Sequence, residues 1–258
     1  MTVLGCRTGK IVASRADIDW VVITLKRTPE RLEQFIENNA HQGLSVEAME
    51  AVDGQKLDRE ELIRTGLIAP DLQWVAGALG AALSHRQCWL RAVETGQPVG
   101  IFEDDVLLRN DFARLAHEMV GSLPSYWDLM QFGLNTDSVL EAELVPGCLV
   151  YGDFDRWYPT AAECERFVNS EAPVTPVRLT TSFGACAYVV SPRGAQKLLD
   201  YCFPLSWTFR YIRQLNIMLR AKTADALMNS YYGEMAAFIS VPPIAMARND
   251  KTVSTVNA

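Results

Sequence analysis

A chain of 258 residues, 49% hydrophobic and 21% charged, holds the material for one large α/β domain or two small ones, and that balance speaks against intrinsic disorder. Its formal net charge of −7 argues against wholesale electrostatic binding to nucleic acid, and disfavours an anionic ligand unless local Lys, Arg or a metal ion overrules the global field. Six scattered cysteines without a C-x-x-C pair read as free, mostly buried thiols in a reducing compartment, three unclustered histidines speak against a His-rich zinc site, and no apolar run approaches the ~20 residues of a membrane span.

The N-terminal MTVLGCRTGK lacks the apolar centre of a signal peptide, so the expected location is the cytoplasm. GCRTGK is no phosphate loop: its glycines stand one residue too close for G-x-x-x-x-G-K-[ST], and Ile11 follows the lysine. Residues 1–18 read as a peripheral arm. Trp20 to Leu25 is a continuous, largely β-branched apolar run, expected of a strand covered on both faces. A helix follows, with Thr28 as N-cap, Pro29 at the first helical position and Glu30 at the positive end. Its apolar stripe is Leu32, Phe35, Ile36 and Ala40. LSVEAMEAVDG alternates like a strand and ends at the turn pair Asp53-Gly54.

GALGAALSHRQCWLRAVETGQP predicts a second helix, with Ala78, Ala82, Trp89 and Val93 on one side and Gly96 to Pro98 as its stop. VGIF is a short buried strand, DFARLAHEMVGSL a third helix with Phe112, Leu115 and Met119 inward, and WDLMQFG another strand. Residues 135–180, rich in aromatics, prolines and acids, read as a loop-dominated insertion. GACAYVV is a strand, SPRGAQKLLDYC a helix capped by Ser191 and opened by Pro192, and TADALMNSYY a further helix. AAFISVPPIAMARND continues as a strand into a polar tail. Alternating strands and helices predict α/β architecture with a mostly parallel, helix-covered sheet.

Ligands of such sheets bind beyond the carboxyl ends of the strands. Two charged clusters fall there. Lys26-Arg27, at a helix start, reads either as surface charge or as a seat for a pyrophosphate. Glu103-Asp104-Asp105 reads either as a solvated turn or as a site for a hard divalent cation. On an extended chain Glu103 and Asp105 would point the same way, leaving Asp104 for backbone or a nearby cation. His85, near the apolar stripe of its helix, reads as a bonded core residue or as a catalytic one.

Taken in order, VVITLKRTPERLE, AMEAVDGQKL, GALGAALSHRQCWLRAVETGQPVGIFEDDV and GACAYVVSPRGAQKLL resemble the family 25 glycosyltransferases, the lipooligosaccharide galactosyltransferase-like proteins, with TADALMN and VPPIAMARNDKTVST matching more weakly. The resemblance implies a GT-A-like nucleotide-binding fold over residues 19–258, with a nucleotide-sugar half (19–134) and an acceptor half (135–258). It implies inverting transfer of a hexose, most often galactose, from a UDP-sugar to a hydroxyl of a surface glycan such as lipopolysaccharide. Glu103 and Asp105 would then hold Mn²⁺ or Mg²⁺ against the donor diphosphate, with Asp104 adjacent. Thr24, Leu25, Lys26, Arg27 and Arg31 would lie at the nucleotide, with Asp53 beside it and Ser84 and His85 near the donor. Asp225 would be the base that takes the acceptor's proton, or a further metal ligand. A lipid-linked acceptor would bring peripheral attachment to the inner face of the plasma membrane.

The chain departs from the family pattern in framing that aspartate as Ala224-Asp225-Ala226. That motivates an alternative, a catalytically inactive nucleotide-sugar-binding protein of the same fold. A nucleotidyltransferase is a third reading, unsupported by any phosphate loop. Trp157, Tyr158 and Phe167 read as sugar-stacking aromatics or as loop-packing anchors.

Overall fold

The computed structural model describes residues 18–154, 159–213 and 215–248. The expected arm, apart from Ile18, lies outside them, as do Cys6, Trp157, Tyr158 and the polar tail. The chain runs through β1 (Asp19–Thr24), α1 (Pro29–Asn39), β2 (Val46–Glu50), α2 (Arg59–Arg64), α3 (Ala76–Thr95), β3 (Val99–Glu103) and β4 (Val106–Leu108). It continues through α4 (Phe112–Ser122), β5 (Leu129–Gln131), β6 (Val139–Val145), β7 (Cys148–Asp153), α5 (Ala161–Val168) and β8 (Thr175–Ser182). The last part holds β9 (Ala187–Val190), α6 (Pro192–Cys202), β10 (Phe209–Ile212), β11 (Ile217–Arg220), α7 (Ala224–Asn229), β12 (Ala237–Val241) and β13 (Ala245–Ala247).

A nine-stranded sheet in the order β2-β1-β3-β9-β5-β12-β8-β6-β7 organises the molecule. Pairing directions set β1, β2, β3, β5, β12 and β6 running one way and β9, β8 and β7 the other, so most strands share one direction. Alternation along β1 explains its uninterrupted apolar run. Val21 and Ile23 pack with Trp89, Tyr188 and Leu198 on the α3, α6 and α7 side. Trp20 and Val22 pack with Phe35, Phe102 and Phe112 on the α1 and α4 side.

Several expectations need correction. Thr28 occupies the N-cap position of α1, but its side chain makes no capping bond; its hydroxyl turns back to Leu25 O at 3.4 Å. Phe35 is buried as expected, but Ile36 and Ala40 are exposed and the helix buries Asn39. The Asn39 amide satisfies backbone that an apolar side chain would strand: Nδ2 donates to Val106 O (3.1 Å) and Oδ1 accepts from Leu108 N (3.0 Å). The described residues between 135 and 180 are not loop-dominated. They form β6, β7, α5 and β8, which extend the sheet with antiparallel strands. The segment read as one strand from Ala236 is two, β12 and β13, because Pro242-Pro243 interrupts the ladder. Cys88, Cys186 and Cys202 are buried free thiols, whereas Cys148 is exposed.

Candidate active site

Three segments far apart in sequence meet at the carboxyl ends of β1 and β3. The loop leaving β1 brings Thr24, Leu25, Arg27 and, from α1, Arg31. Helix α3 brings Ser84 and His85, and the end of β3 brings Glu103 and Asp104. All eight line one cleft of ≈ 110 Å³. Its opposite wall comes from Ala51, Val52, Gly54 and Gln55, together with Gly77 and Ala81 of α3. A second hollow of ≈ 400 Å³ shares Ala51 and Val52 and contains Asp53 and Lys56.

The wall is built by close approach. A Cβ on Gly54 would stand 1.9 Å from Ala76 O, and one on Gly80 would stand 2.5 Å from Val52 O. Ser84 adds a bond across the same joint, its hydroxyl accepting from Val52 N and donating to Gly80 O, both at 2.8 Å. Ser84 therefore serves the wall, and its hydrogen-bonding capacity is largely used there.

The acidic triplet does not continue as an extended strand. Glu103 ends β3, and Asp104 and Asp105 form a turn into β4, so alternation cannot align Glu103 with Asp105. Glu103, 40% exposed at its side chain, and Asp104 face the cleft, whereas Asp105 is not among its lining residues. Arg31 holds the turn, with Nε donating to Asp104 Oδ1 at 2.7 Å and Nη2 lying 3.5 Å from Asp105 Oδ2. Asp105 Oδ1 is buried and has no hydrogen-bond partner among the described residues. Burial, and then the neighbouring Glu103 carboxylate, push the Asp105 carboxyl up to about 6 against the pull of Arg31. Hard oxygen donors, an orphaned carboxylate oxygen and negative charge in excess of Arg31 fit a divalent cation. Among the described residues, however, no three His, Cys, Asp or Glu side chains are already gathered around one point.

His85 is buried and its two ring nitrogens face different worlds. Nδ1 lies 2.9 Å from Tyr188 Oη, and the same oxygen accepts from Trp89 Nε1 at 2.9 Å. The indole N–H only donates, which leaves the Tyr188 hydroxyl hydrogen available to His85 Nδ1; in that arrangement the neutral imidazole carries its proton on Nε2, which lies 3.6 Å from Glu103 Oε1. His85 is thus a bonded core residue that also lines the cleft.

Other expected residues stand apart. Lys26 is exposed and pairs with Glu50 outside the cleft. Asp53 caps the Gly54–Lys56 turn, accepting from Gln55 N, and lies 3.5 Å from Arg27. Thr24 Oγ1 is buried and without a hydrogen-bond partner among the described residues, at the cleft. Asp225 does not line the cleft. Its Oδ2 accepts from Gly184 N at 2.8 Å, and two residues later Cys186 O accepts from Glu103 N at 2.9 Å. Asp225 therefore sits on the same end of the sheet, one strand over. A buried polar network backs it: Ser182 Oγ donates to Gln131 Oε1, Gln131 Nε2 to Gly184 O, and Asn229 Oδ1 accepts from Ser182 N.

Sequence reasoning missed Gln55, Gly77, Ala81, Trp89 as a donor, and Tyr188. The small-residue run AGALGAA at the start of α3 carried the signal for a close approach. Nothing local marks Tyr188, because its partner lies 103 residues away.

A family model described as glycosyltransferase family 25 (LPS biosynthesis protein) matches residues 18–211, which include every cleft-lining residue named above. The chain belongs to glycosyltransferase family 25. Named relatives in family 25 include the mouse "inactive glycosyltransferase 25 family member 3", 29% identical over 146 residues, 51% of this chain and 25% of that one. A "glycosyltransferase 25 family member" of Aedes aegypti is 28% identical over 190 residues (69% and 27%). Human "procollagen galactosyltransferase 2" is 24% identical over 193 residues (69% and 26%). The chain thus spans about a quarter of the length of these relatives. Asp225 lies beyond the residues matched to family 25. Among the described residues no helix is long and apolar enough to cross a membrane.

Proposed function

We propose that this family 25 chain is a UDP-sugar-dependent hexosyltransferase that passes galactose to a hydroxyl of a surface glycan. The observation that carries the reading is the convergence, in one cleft, of the β1 exit, the Ser84-His85 turn of α3 and the acidic end of β3. Arg27 and Arg31 there supply the cationic edge that a diphosphate needs in a chain of net charge −7. Thr24, whose buried hydroxyl has no hydrogen-bond partner among the described residues, also lines the cleft.

A divalent cation, Mn²⁺ or Mg²⁺, would be held by Glu103 and Asp105 with Asp104 adjacent, and supplies Lewis-acid neutralisation of the departing UDP. Arg31 keeps the acidic turn in place through Asp104. His85 offers its Nε2–H toward Glu103 and the cleft, orienting that carboxylate. Asp225, fixed by Gly184 N, is the carboxylate assigned to take the acceptor's proton or to serve as a further metal ligand, with residues 135–258 as the acceptor half.

The test is release of UDP, GDP or CMP from a panel of nucleotide sugars by purified protein, with and without Mn²⁺. UDP release from UDP-galactose, dependent on Mn²⁺ and nearly abolished in Asp105→Ala, is expected; full activity in that variant removes the metal role. The name of the mouse relative keeps a second reading in play, a nucleotide-sugar-binding protein without turnover. Calorimetric binding of UDP-galactose with no transfer across a broad acceptor screen would establish it.

A further inference from the structure

Strands β10 and β11 form a separate two-stranded sheet. Tyr211 pairs with Met218 and Ile212 with Ile217, so Phe209, Tyr211 and Met218 share one face and Ile217 lies on the other. Phe209, Tyr211, Leu215, Ile217 and Met218 are each between 41% and 62% exposed. Large apolar side chains clustered at such exposure need a partner.

The hairpin is held at its base. Arg210 Nη2 donates to Thr180 O (2.8 Å) and Thr181 Oγ1 (3.1 Å), and Nη1 to Asn229 O. Ile212 is buried beneath it. At the tip, Tyr211 Oη donates to Asn216 Oδ1 at 2.8 Å, shaping a turn in which Asn216 takes φ 49°. The outer half is therefore a shaped, apolar projection.

Two features choose its occupant. First, apolar side chains are exposed on both faces and in the turn between them. A partner protein docking on one face would leave Ile217 or Met218 in water, whereas a fluid apolar layer surrounds all of them. Second, the chain carries net charge −7, yet no acidic residue occurs between Asp200 and Asp225, and Arg213 and Lys222 are exposed beside the apolar cluster. Apolar side chains fringed by cations suit the headgroup boundary of an anionic bilayer. We propose that the β10–β11 hairpin is a membrane-docking wedge that inserts Leu215, Ile217 and Met218 into an anionic lipid surface.

Flotation of the full chain with vesicles tests this, comparing phosphatidylcholine alone with phosphatidylcholine plus phosphatidylglycerol. The wild type should float with the mixed vesicles and far less with phosphatidylcholine. The double variant Leu215→Ser/Met218→Ser should bind about tenfold more weakly or worse at any salt. Arg213→Glu/Lys222→Glu should bind roughly tenfold more weakly at low salt, with the deficit shrinking as salt rises. All four side chains are exposed, so both variants should melt with the wild type. In Met218→Trp, tryptophan emission should shift to the blue on adding mixed vesicles. Wild type that stays with the buffer, or variants that float equally, would overturn the proposal. So would self-association, or retention on immobilised oligosaccharide, that Leu215→Ser/Met218→Ser abolishes in a protein that never floats; the first outcome would assign the hairpin to a second copy and the other to a glycan.

Discussion

Trp89, Tyr188 and His85 form a buried chain in which the indole N–H and the imidazole Nδ1 share one phenol oxygen behind the cleft. Tyr188→Phe removes the shared hydroxyl and leaves the buried Trp89 N–H and His85 Nδ1 without partners. We expect a loss of about 1–3 kcal/mol in unfolding free energy, measured by denaturant titration. Turnover in that variant should fall as well, because His85 is free to place its proton on Nδ1 and present a bare Nε2 to Glu103. Unchanged kcat would show that the tautomer does not matter to the chemistry. Asp105 gives a second prediction. Its folded carboxyl, at about 6, lies above the ordinary value near 4, so the fold favours the protonated form. The penalty is absent below pH ~4, grows as pH rises towards 6 and is complete above it. In the presence of a chelator, Asp105→Asn should therefore stabilise the chain at pH 7.5, on the order of 2 kcal/mol, with no gain at pH 4. Adding Mn²⁺ should raise the melting temperature of the wild type and not of the variant.

Helix α6 illustrates how one buried charge fixes an element. Asp128, fully buried just before β5, accepts from Arg193 Nε and Lys197 Nζ of α6 and from Ala236 N ahead of β12, at 2.7–2.8 Å. Burial works against ionisation, but the bonds from Lys197, Ala236 and Arg193 outweigh it and hold the carboxyl below its usual range. A depressed value contributes stability above pH ~4 that is lost as pH falls through the folded value. Asp128→Ala should cost about 3 kcal/mol at pH 7, and the gap from wild type should narrow under acid conditions. The Ser191 cap and Pro192 made α6 readable in advance, whereas Asp128 as its anchor was not, since 65 residues separate it from Arg193. The same contrast runs through the chain. β1, α3, β3, β9 and α6 were legible because each is covered by the core and shows one clean period. The strands from 139 to 182 were not: β6 places Glu141 and Glu143 among its apolar residues, and β7 is a sheet edge with Leu149 and Val150 exposed. Their turn at Pro146-Gly147 and the Thr160–Glu163 capping box of α5 were the local signals to use.

Across the whole molecule, stability should be uneven. β1, β3, β9 and β5 are covered on both faces, whereas β6 and β7 form an edge with exposed apolar side chains. Native-state hydrogen exchange should show β7 amides opening far faster than those of β1 and β3; uniform protection would contradict this. The cleft belongs to the stable end of the sheet, and the proposed acceptor residues to the part that reaches toward the edge. The motif segments foretold the cleft because their spacing survives folding as adjacency at strand ends. The turn at Asp104-Asp105 was hidden, since three acids in a row give no sign of where a strand stops.

The joint between α3 and the Val52–Gly54 loop has a consequence for the opposite rim. Gly54 sits against Ala76 O and Gly80 against Val52 O, with no room for a Cβ at either position. Asp53 of that loop in turn lies 3.5 Å from Arg27. A side chain forced into either glycine position would therefore push on the loop that anchors one of the two arginines, although neither glycine is itself charged.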